Sequence, residues 1–221
     1  MTLPHHSRKY TLNESFFSAW SPKMAYVLGF WFADGDMKHE RSYRVSFSSK
    51  DYKHLELIKQ VAGSNAKIYR FFNNGVLQGS HYLTLHSKKL YHDLKKLGGT
   101  RSNSTTLKFP YVPNKYLHDF IRGFFDGDGS VHNITYRASK NGKLYTETRS
   151  NFTSGSKLFL VALRQILTEK LILAKRAIGQ YGPHQYKLGY GQKDTYKLLR
   201  YMYYPNHIIS LKRKAVYLSE I

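Results

Sequence analysis

Two stretches of this chain are apolar on nearly every side of a helix. Positions 26–33 read Tyr-Val-Leu-Gly-Phe-Trp-Phe-Ala ahead of Asp34, and positions 120–125 read Phe-Ile-Arg-Gly-Phe-Phe ahead of Asp126-Gly127-Asp128. The two copies lie 94 positions apart, so that Gly29 falls on Gly123, Phe30 on Phe124, Ala33 on Gly127, Asp34 on Asp128 and Gly35 on Gly129. A helix that is bulky and apolar all round is a buried helix. Residues four apart share a helix face, so Gly29/Ala33 and Gly123/Gly127 each form a strip poor in side chains. Such strips let two helix backbones approach closely. The pattern therefore predicts two core helices packed strip to strip. An aspartate ends each run well short of the roughly 20 apolar residues that a membrane span needs.

The rest of the pattern repeats around those helices. Ser21-Pro22 reads as an N-cap with proline at the first helical position, and the first core helix runs from there to about Asp34. Arg41–Lys50 alternates as a strand, with Tyr43, Val45 and Phe47 on one face and Arg44, Ser46 and Ser48 on the other. Asp51–Val61 has helical spacing. Lys67–Phe72, the Asn73-Asn74-Gly75 turn and Val76–His86 read as a hairpin, and Lys88–Leu97 as a short helix. In the second copy Asn114 is placed to cap the helix ending at Asp128. Ile134–Ser139 and Leu144–Thr153 flank Asn141-Gly142, a strong hairpin signal. Ser156–Leu173 reads as a helix, Ala177–Tyr181 and His184–Tyr190 as a hairpin about Gly182-Pro183, and Lys193–Tyr203 and Ser210–Ile221 as helices. The expected fold class is α+β: two pseudo-symmetric αββαββα repeats packed through their motif helices. The expected divisions are a leader over 1–20, a first repeat over 21–99, a linker over 100–113 and a second repeat over 114–221. The leader begins basic (His5, His6, Arg8, Lys9) and ends apolar (Phe16, Phe17, Trp20), so it is expected to dock on the body.

Composition narrows the partner. Of 221 residues, 35 are Lys or Arg and 14 are Asp or Glu, a formal charge of +21, which points to a polyanion. A ribosomal or histone-like packaging protein would share that charge, but seldom with 15% aromatic residues and a repeated acidic helix end. The absence of cysteine excludes a disulfide scaffold and a Cys-ligated zinc site, and the 11 histidines show no metal-ligand spacing. With no signal peptide or membrane segment visible, the expectation is an intracellular protein of the cytoplasm or an organellar matrix, not a secreted one.

Both core helices end in a carboxylate, an unfavourable place for a negative charge by about 0.3–1 kcal/mol. Helices packed side by side also bring Asp34 and Asp128 face to face. Two bare charges about 4 Å apart repel by roughly 4 kcal/mol at an effective dielectric near 20. A divalent cation removes both penalties, and Mg²⁺ is the usual partner of carboxylates and phosphates.

Val-Leu-Gly-Phe-Trp-Phe-Ala-Asp-Gly (27–35) and Ile-Arg-Gly-Phe-Phe-Asp-Gly-Asp-Gly (121–129) resemble the paired motifs of the single-chain LAGLIDADG homing endonucleases; the first departs by carrying Phe32 where the earlier motif acid would stand. The resemblance implies a monomeric, sequence-specific DNA endonuclease that needs no protein partner. It implies metal binding at Asp34 and Asp128 with the adjoining Gly35 and Gly129, and no metal role for Asp36 or Asp126. The cofactor would be Mg²⁺ or Mn²⁺, with Ca²⁺ binding but not supporting efficient cleavage. It further implies cuts in both strands across the minor groove that leave short 3′ overhangs. A lysine at the end of the strand after the motif helix often assists, and Lys50 matches that position; Gly155 lies over it in the second copy, with Lys157 two residues on. The alternatives on the same fold are an RNA maturase or a DNA-binding regulator that does not cut.

The strands suggest how double-stranded DNA is held, since a two-stranded ribbon fits the major groove. The candidate contact residues are Arg41, Arg44, Lys67, Arg70, Gln78, Arg137, Lys143, Arg149, Gln185 and Lys187. Lys89 and Lys193 are assigned to backbone phosphates.

Overall fold

A computed structural model describes residues 9–73, 76–101 and 103–218. The leader residues His5, His6 and Arg8, the Asn74-Gly75 turn and positions 219–221 lie outside the described residues, as does the side chain of Gln78. In chain order the elements are α1 (Pro22–Asp34), β1 (Gly35–His39), β2 (Tyr43–Ser49), α2 (Tyr52–Val61), β3 (Ile68–Asn73), β4 (Val76–His86) and α3 (Lys88–Lys96). The short α4 (Asn103–Thr106) follows, then α5 (Leu117–Asp128), β5 (Gly129–Arg137), β6 (Leu144–Ser154), α6 (Lys157–Leu171), β7 (Ile178–Gly182), β8 (Gln185–Tyr190), α7 (Gln192–Met202) and the short α8 (Lys212–Ala215). The strands form two antiparallel sheets of identical topology, β1-β2-β4-β3 and β5-β6-β8-β7.

Short-range chemistry fixes the starts of α1, α2, α3 and α6. The hydroxyls of Ser21, Ser87 and Ser156 accept from the backbone N–H three residues on, at 3.1–3.2 Å, and the Asp51 carboxylate does the same for His54. These bonds satisfy N–H groups that a helix leaves free at its first turn. Each sheet then buries one face. Val45 and Phe47 pair with Leu85 and Leu83 against the helices, while Arg44, Ser46 and Ser48 point the other way. In the second sheet Phe152 and Leu188 form the buried face, under Phe159, Leu160 and Leu163 of α6. No helix among the described residues is long and apolar enough to cross a membrane.

α1 and α5 lie between the two halves with their backbones in contact. A Cβ added at Gly29 would stand 2.0 Å from the Phe120 carbonyl oxygen, and one at Gly123 would stand 2.0 Å from that of Tyr26. Tyr26 and Phe120 are themselves a repeat-related pair, so the contact has two-fold pseudo-symmetry. At the third step Gly127 meets Ala33.

Four expectations need correction. The chain passes from Asp34 straight into β1, which the hydropathy pattern does not reveal because Met37 alone in Gly35–His39 is buried; pairing of Gly35 with Phe47 and Met37 with Val45 makes it a strand. For the same reason β5 starts at Gly129, not at Ile134. Asn114 does not cap α5: Asn114–Tyr116 is a 3-10 turn, and the helix begins at Leu117 without a side-chain cap. The tail expected to be one helix over Ser210–Ile221 is a single turn, α8, followed as far as Leu218 by a 3-10 turn. The described part of the leader, residues 9–20, docks as anticipated, with Phe16 and Phe17 buried and Trp20 stacked on Tyr116 at 6.2 Å.

The backbone contact gives a first prediction. Gly29→Ala and Gly123→Ala should each destabilise the protein by about 1–3 kcal/mol or more, the usual cost of overpacking, and by similar amounts because the environments match. Gly79→Ala, where nothing lies within 4 Å, is the control and should stay within about 0.5 kcal/mol. Denaturant unfolding of the three variants checks this; a neutral effect at Gly29 or Gly123 would contradict the packing.

Candidate functional site

The two motif helices deliver their last residues, Asp34 and Asp128, to the pseudo-symmetry axis. The Asp34 carboxylate rests against the opposite helix, since a methyl group on Gly127 would meet its Oδ2 at 3.1 Å. Each half then holds the end of its helix in the same way. The Ser48 hydroxyl donates to the Asp34 carbonyl oxygen at 3.1 Å, and the Thr153 hydroxyl donates to that of Asp128 at 2.7 Å. Gly35 and Gly129 follow, and neither has room for a side chain, because the chain folds back onto Trp31 and Phe125 respectively.

Both carboxylates are half-buried, and their protonation reflects this. Burial pushes Asp34 up to about 6, with the Lys214 ammonium pulling the other way. Burial and then the neighbouring Asp34 charge push Asp128 up to about 8, again opposed by Lys214. Two adjacent acids held this far above the usual carboxylate range form a site short of positive charge. The two carboxylates are hard oxygen ligands that fit a divalent cation, whereas the adjoining carbonyls of Asp34, Asp128 and Gly129 already accept from Ser48, Thr153 and Lys214.

Asp34 opens onto a cleft of about 680 Å³ lined also by Ser48, Lys50, Tyr52, Gly127 and Arg213. Lys50 stands just beyond β2 and shares this cleft with Asp34. Lys157, the first residue of α6, is exposed and does not line it. Asp126 also borders this cleft but is 2% exposed, and its carboxylate is already engaged: it accepts from the hydroxyls of Tyr26 and Tyr203, both at 2.6 Å, and from the Leu211 N–H at 2.7 Å. Asp36 is met by Lys38 at 3.6 Å.

Two cations here escaped the sequence reading. Arg213 lines the cleft. Lys214 is 3% exposed and donates to the carbonyls of Phe125 (2.6 Å), Asp126 (2.8 Å) and Gly129 (2.5 Å). It thus places a positive charge on the carboxyl end of α5, where the helix dipole favours one. Burial pulls it down to about 8, with Asp126 the strongest of the groups opposing that shift.

The open sheet faces carry fewer cations than expected. Arg44 lies on the first, beside Ser46 and opposite His86. Arg149, Lys187 and Gln185 share the open face of the second. Arg41 falls in the β1–β2 turn, Lys67 precedes β3, and Lys143 sits in the β5–β6 turn. Arg70 pairs with His81, on the face opposite Tyr69 and Tyr82. Arg137 pairs with Leu144, off the open face, and donates to the Gly142 carbonyl at 2.7 Å. Lys89 is engaged by Asp93 at 2.6 Å and Ser18 at 2.5 Å. Lys193, exposed at the start of α7, joins Arg149 and Lys187 in lining a broad groove of about 1570 Å³.

No protein-family model matches the chain. A DNA-directed RNA polymerase subunit, Rpo1C of Methanocaldococcus jannaschii, is 30% identical over 109 residues, which is 48% of this chain and 12% of that protein. The chain therefore spans about an eighth of that relative. Among solved structures, the LAGLIDADG meganuclease I-CpaMI bound to uncleaved DNA aligns with a TM-score of 0.60 at 14% identity, covering 91% of this chain and 90% of that one. The I-SmaMI LAGLIDADG homing endonuclease bound to cleaved DNA aligns at 0.59 and 18%, covering 90% and 87%. The homing endonuclease I-WcaI bound to its DNA recognition sequence aligns at 0.58 and 16%, covering 91% of each. The chain has the fold of the single-chain LAGLIDADG homing endonucleases.

The raised acids predict a stability signature. A carboxyl group raised in the folded state contributes stability that is full below its unfolded value, near 3.8, and lost as pH rises through the folded value. For Asp128 that loss spans about pH 4 to 8, and for Asp34 about pH 4 to 6. Without divalent cations, Asp128→Asn should therefore stabilise the protein by on the order of 1–3 kcal/mol at pH 8.5. It should do so by more than Asp34→Asn, and neither should gain much at pH 4. Thermal melting across pH measures this. A lower melting temperature for Asp128→Asn at pH 8.5 would contradict the crowding of negative charge.

Proposed function

We propose that this protein is a monomeric LAGLIDADG-type homing endonuclease that hydrolyses both strands of a long, specific DNA site. The observation that carries the reading is the pair of carboxylates, one from each half, meeting on the pseudo-symmetry axis beneath two open antiparallel sheets. One chain supplies both halves, so no protein partner is required. The solved relatives of this fold are described with uncleaved DNA, cleaved DNA and a recognition sequence, and the charge of +21 suits the same partner.

Asp34 and Asp128 would hold Mg²⁺ or Mn²⁺ through their carboxylates, with Gly35 and Gly129 leaving room beside them; the Gly129 carbonyl itself is taken by Lys214. The chemistry such a cation would supply there is neutralisation of the scissile phosphate and a lowered pKa for the attacking water. I-SmaMI has also been solved on an uncleaved target with calcium ions, which supports a divalent requirement and the expectation that Ca²⁺ binds without efficient cleavage. Lys50 and Arg213 stand in the cleft with Asp34, where positive charge favours the phosphorane-like transition state. Lys214 holds the end of α5 and limits the repulsion between the acids. On the Asp128 side no equivalent of Lys50 exists at Gly155, and Lys157 is the nearest candidate in sequence. The sheets bind DNA: Arg44, Arg149, Gln185 and Lys187 offer base or phosphate contacts from the open faces. Arg41, Lys67, Arg70, Gln78, Lys89, Arg137, Lys143 and Lys193 are assigned to flanking contacts.

Asp34→Asn and Asp128→Asn should each abolish double-strand cleavage with Mg²⁺ while leaving specific binding within about tenfold. Gel-shift and cleavage assays on one selected duplex separate the two effects; near wild-type cleavage by either variant would overturn the assignment. Lys50→Ala should slow one strand by about 10²-fold, so that nicked DNA accumulates. Equal slowing of both strands would remove Lys50 from a single site.

A further inference from the structure

Each sheet projects one hairpin beyond its neighbours, but the two halves project different ones. In the first sheet β4 pairs with β2 only over His81–His86, so Val76–Ser80 runs on with β3 alone. In the second, β6 pairs with β8 only over Ser150–Ser154, so Leu144–Arg149 runs on with β5 alone. The faces of this second ribbon are unambiguous. Thr148 and Ser150 turn toward α7, reaching the hydroxyls of Tyr196 at 3.4 Å and Thr195 at 2.9 Å. Tyr145, Glu147 and Arg149 therefore lie on the open face.

Glu147 is the unexpected member of that row. Its carboxylate receives the Tyr136 hydroxyl at 2.8 Å, and the Arg149 guanidinium donates to it from Nε at 3.2 Å and Nη2 at 2.9 Å. It lines the same groove as Arg149, Lys187 and Lys193. The other carboxylate in this groove, Asp194, is taken up by the Ala174 N–H at 3.2 Å; a carboxylate on an open strand face among Arg149, Lys187 and Lys193 repels phosphate and weakens binding to any polyanion. Its place is explained if it meets a hydrogen-bond donor, and in the major groove the donor suited to a carboxylate is the N4 amino group of cytosine. Tyr136 and Arg149 fix its position before DNA arrives, which reduces the ordering entropy lost on binding. The site is not catalytic: Glu147 lies six residues along β6 from Thr153, about 20 Å at strand spacing, and Thr153 is the residue bonded to Asp128.

We propose that Glu147 is a specificity-determining residue that selects a cytosine at one position of the half-site read by the β5–β6 ribbon, with Tyr136 and Arg149 as its positioning residues. The proposal rests on the reading of the protein as a site-specific DNA-binding nuclease. The test selects bound duplexes from a randomised library with the full chain in Ca²⁺, for the wild type, Glu147→Gln, Glu147→Ala and Tyr136→Phe. The wild type should return a defined site containing one strongly preferred cytosine. In Glu147→Gln and Glu147→Ala that preference should fall about tenfold or more, with adenine rising for glutamine and the other positions unchanged. Tyr136→Phe should weaken the same position by a smaller factor. A defined wild-type site that both Glu147 variants share in full, or a loss spread evenly over all positions, overturns the assignment while leaving the nuclease reading intact. No defined wild-type site at all overturns both.

Discussion

The approach of α1 to α5 at Gly29 and Gly123 is the constraint on which the other features depend. A glycine on each helix lets the partner's carbonyl oxygen sit where a Cβ would otherwise be, and the exchange is reciprocal between repeat-related residues. Bulky apolar side chains surround the contact, including Tyr26, Phe30, Trp31, Phe120, Phe124 and Phe125, all at most 1% exposed. Burial of each such side chain contributes roughly 1.5–3 kcal/mol, enough to hold the ends of both helices together despite two facing carboxylates. Stability from the core is thus spent on crowding charge at the axis, as expected of a functional site rather than of a structural one.

The halves share a topology but fill equivalent positions with different chemistry. Where Phe32 packs on Phe120 at 5.5 Å, the repeat-related contact joins Asp126 to the hydroxyl of Tyr26 at 2.6 Å. Around Asp126 the second half builds a polar cluster from Tyr203, Leu211 and Lys214, with the buried Asp119–Arg122 pair at 2.7 Å one turn away. The consequence is directional. Pairing of two first halves would set Tyr26 against Phe32 and leave its hydroxyl with His54 alone, at 3.1 Å, and pairing of two second halves would set Asp126 against Phe120 and cost it one of its three donors. A hydrogen bond to a charged group contributes about 1.5–3 kcal/mol, so losing the Tyr26–Asp126 bond disfavours either same-half pairing and the contact favours one half of each kind.

Much of this was legible in the residues because the core helices and their acids are repeated. A run that is apolar on all sides, with small residues four apart, has few other structural meanings, and a second copy removes most of the remaining ones. Other features left no such trace. β1 buries only Met37 and acquires its strand character from pairing with β2. Lys214 lies in Leu-Lys-Arg-Lys-Ala, where nothing local distinguishes a buried ammonium on the end of α5 from the exposed Lys212 and Arg213 beside it. Its role depends on a contact across more than 80 positions. Asp126 lacks an acidic counterpart in the first copy, which set it apart from the metal site, but its hydroxyl partners come from Tyr26 and Tyr203, far along the chain in both directions. Arg41, Lys67 and Lys143 carry the right charge, yet they occupy turns that periodicity alone could not separate from strand faces.

The central claim is that two acids on one axis act on opposite strands of the same duplex. Side chains that close together reach two phosphates only across the narrow minor groove, about 6 Å wide, and the phosphates facing each other there are offset toward the 3′ side. Sequencing both ends of DNA cut by the purified protein with Mg²⁺ tests this most directly. The account predicts a fixed stagger of a few nucleotides with 3′ overhangs in every product. Blunt ends, 5′ overhangs or cuts confined to one strand would contradict it.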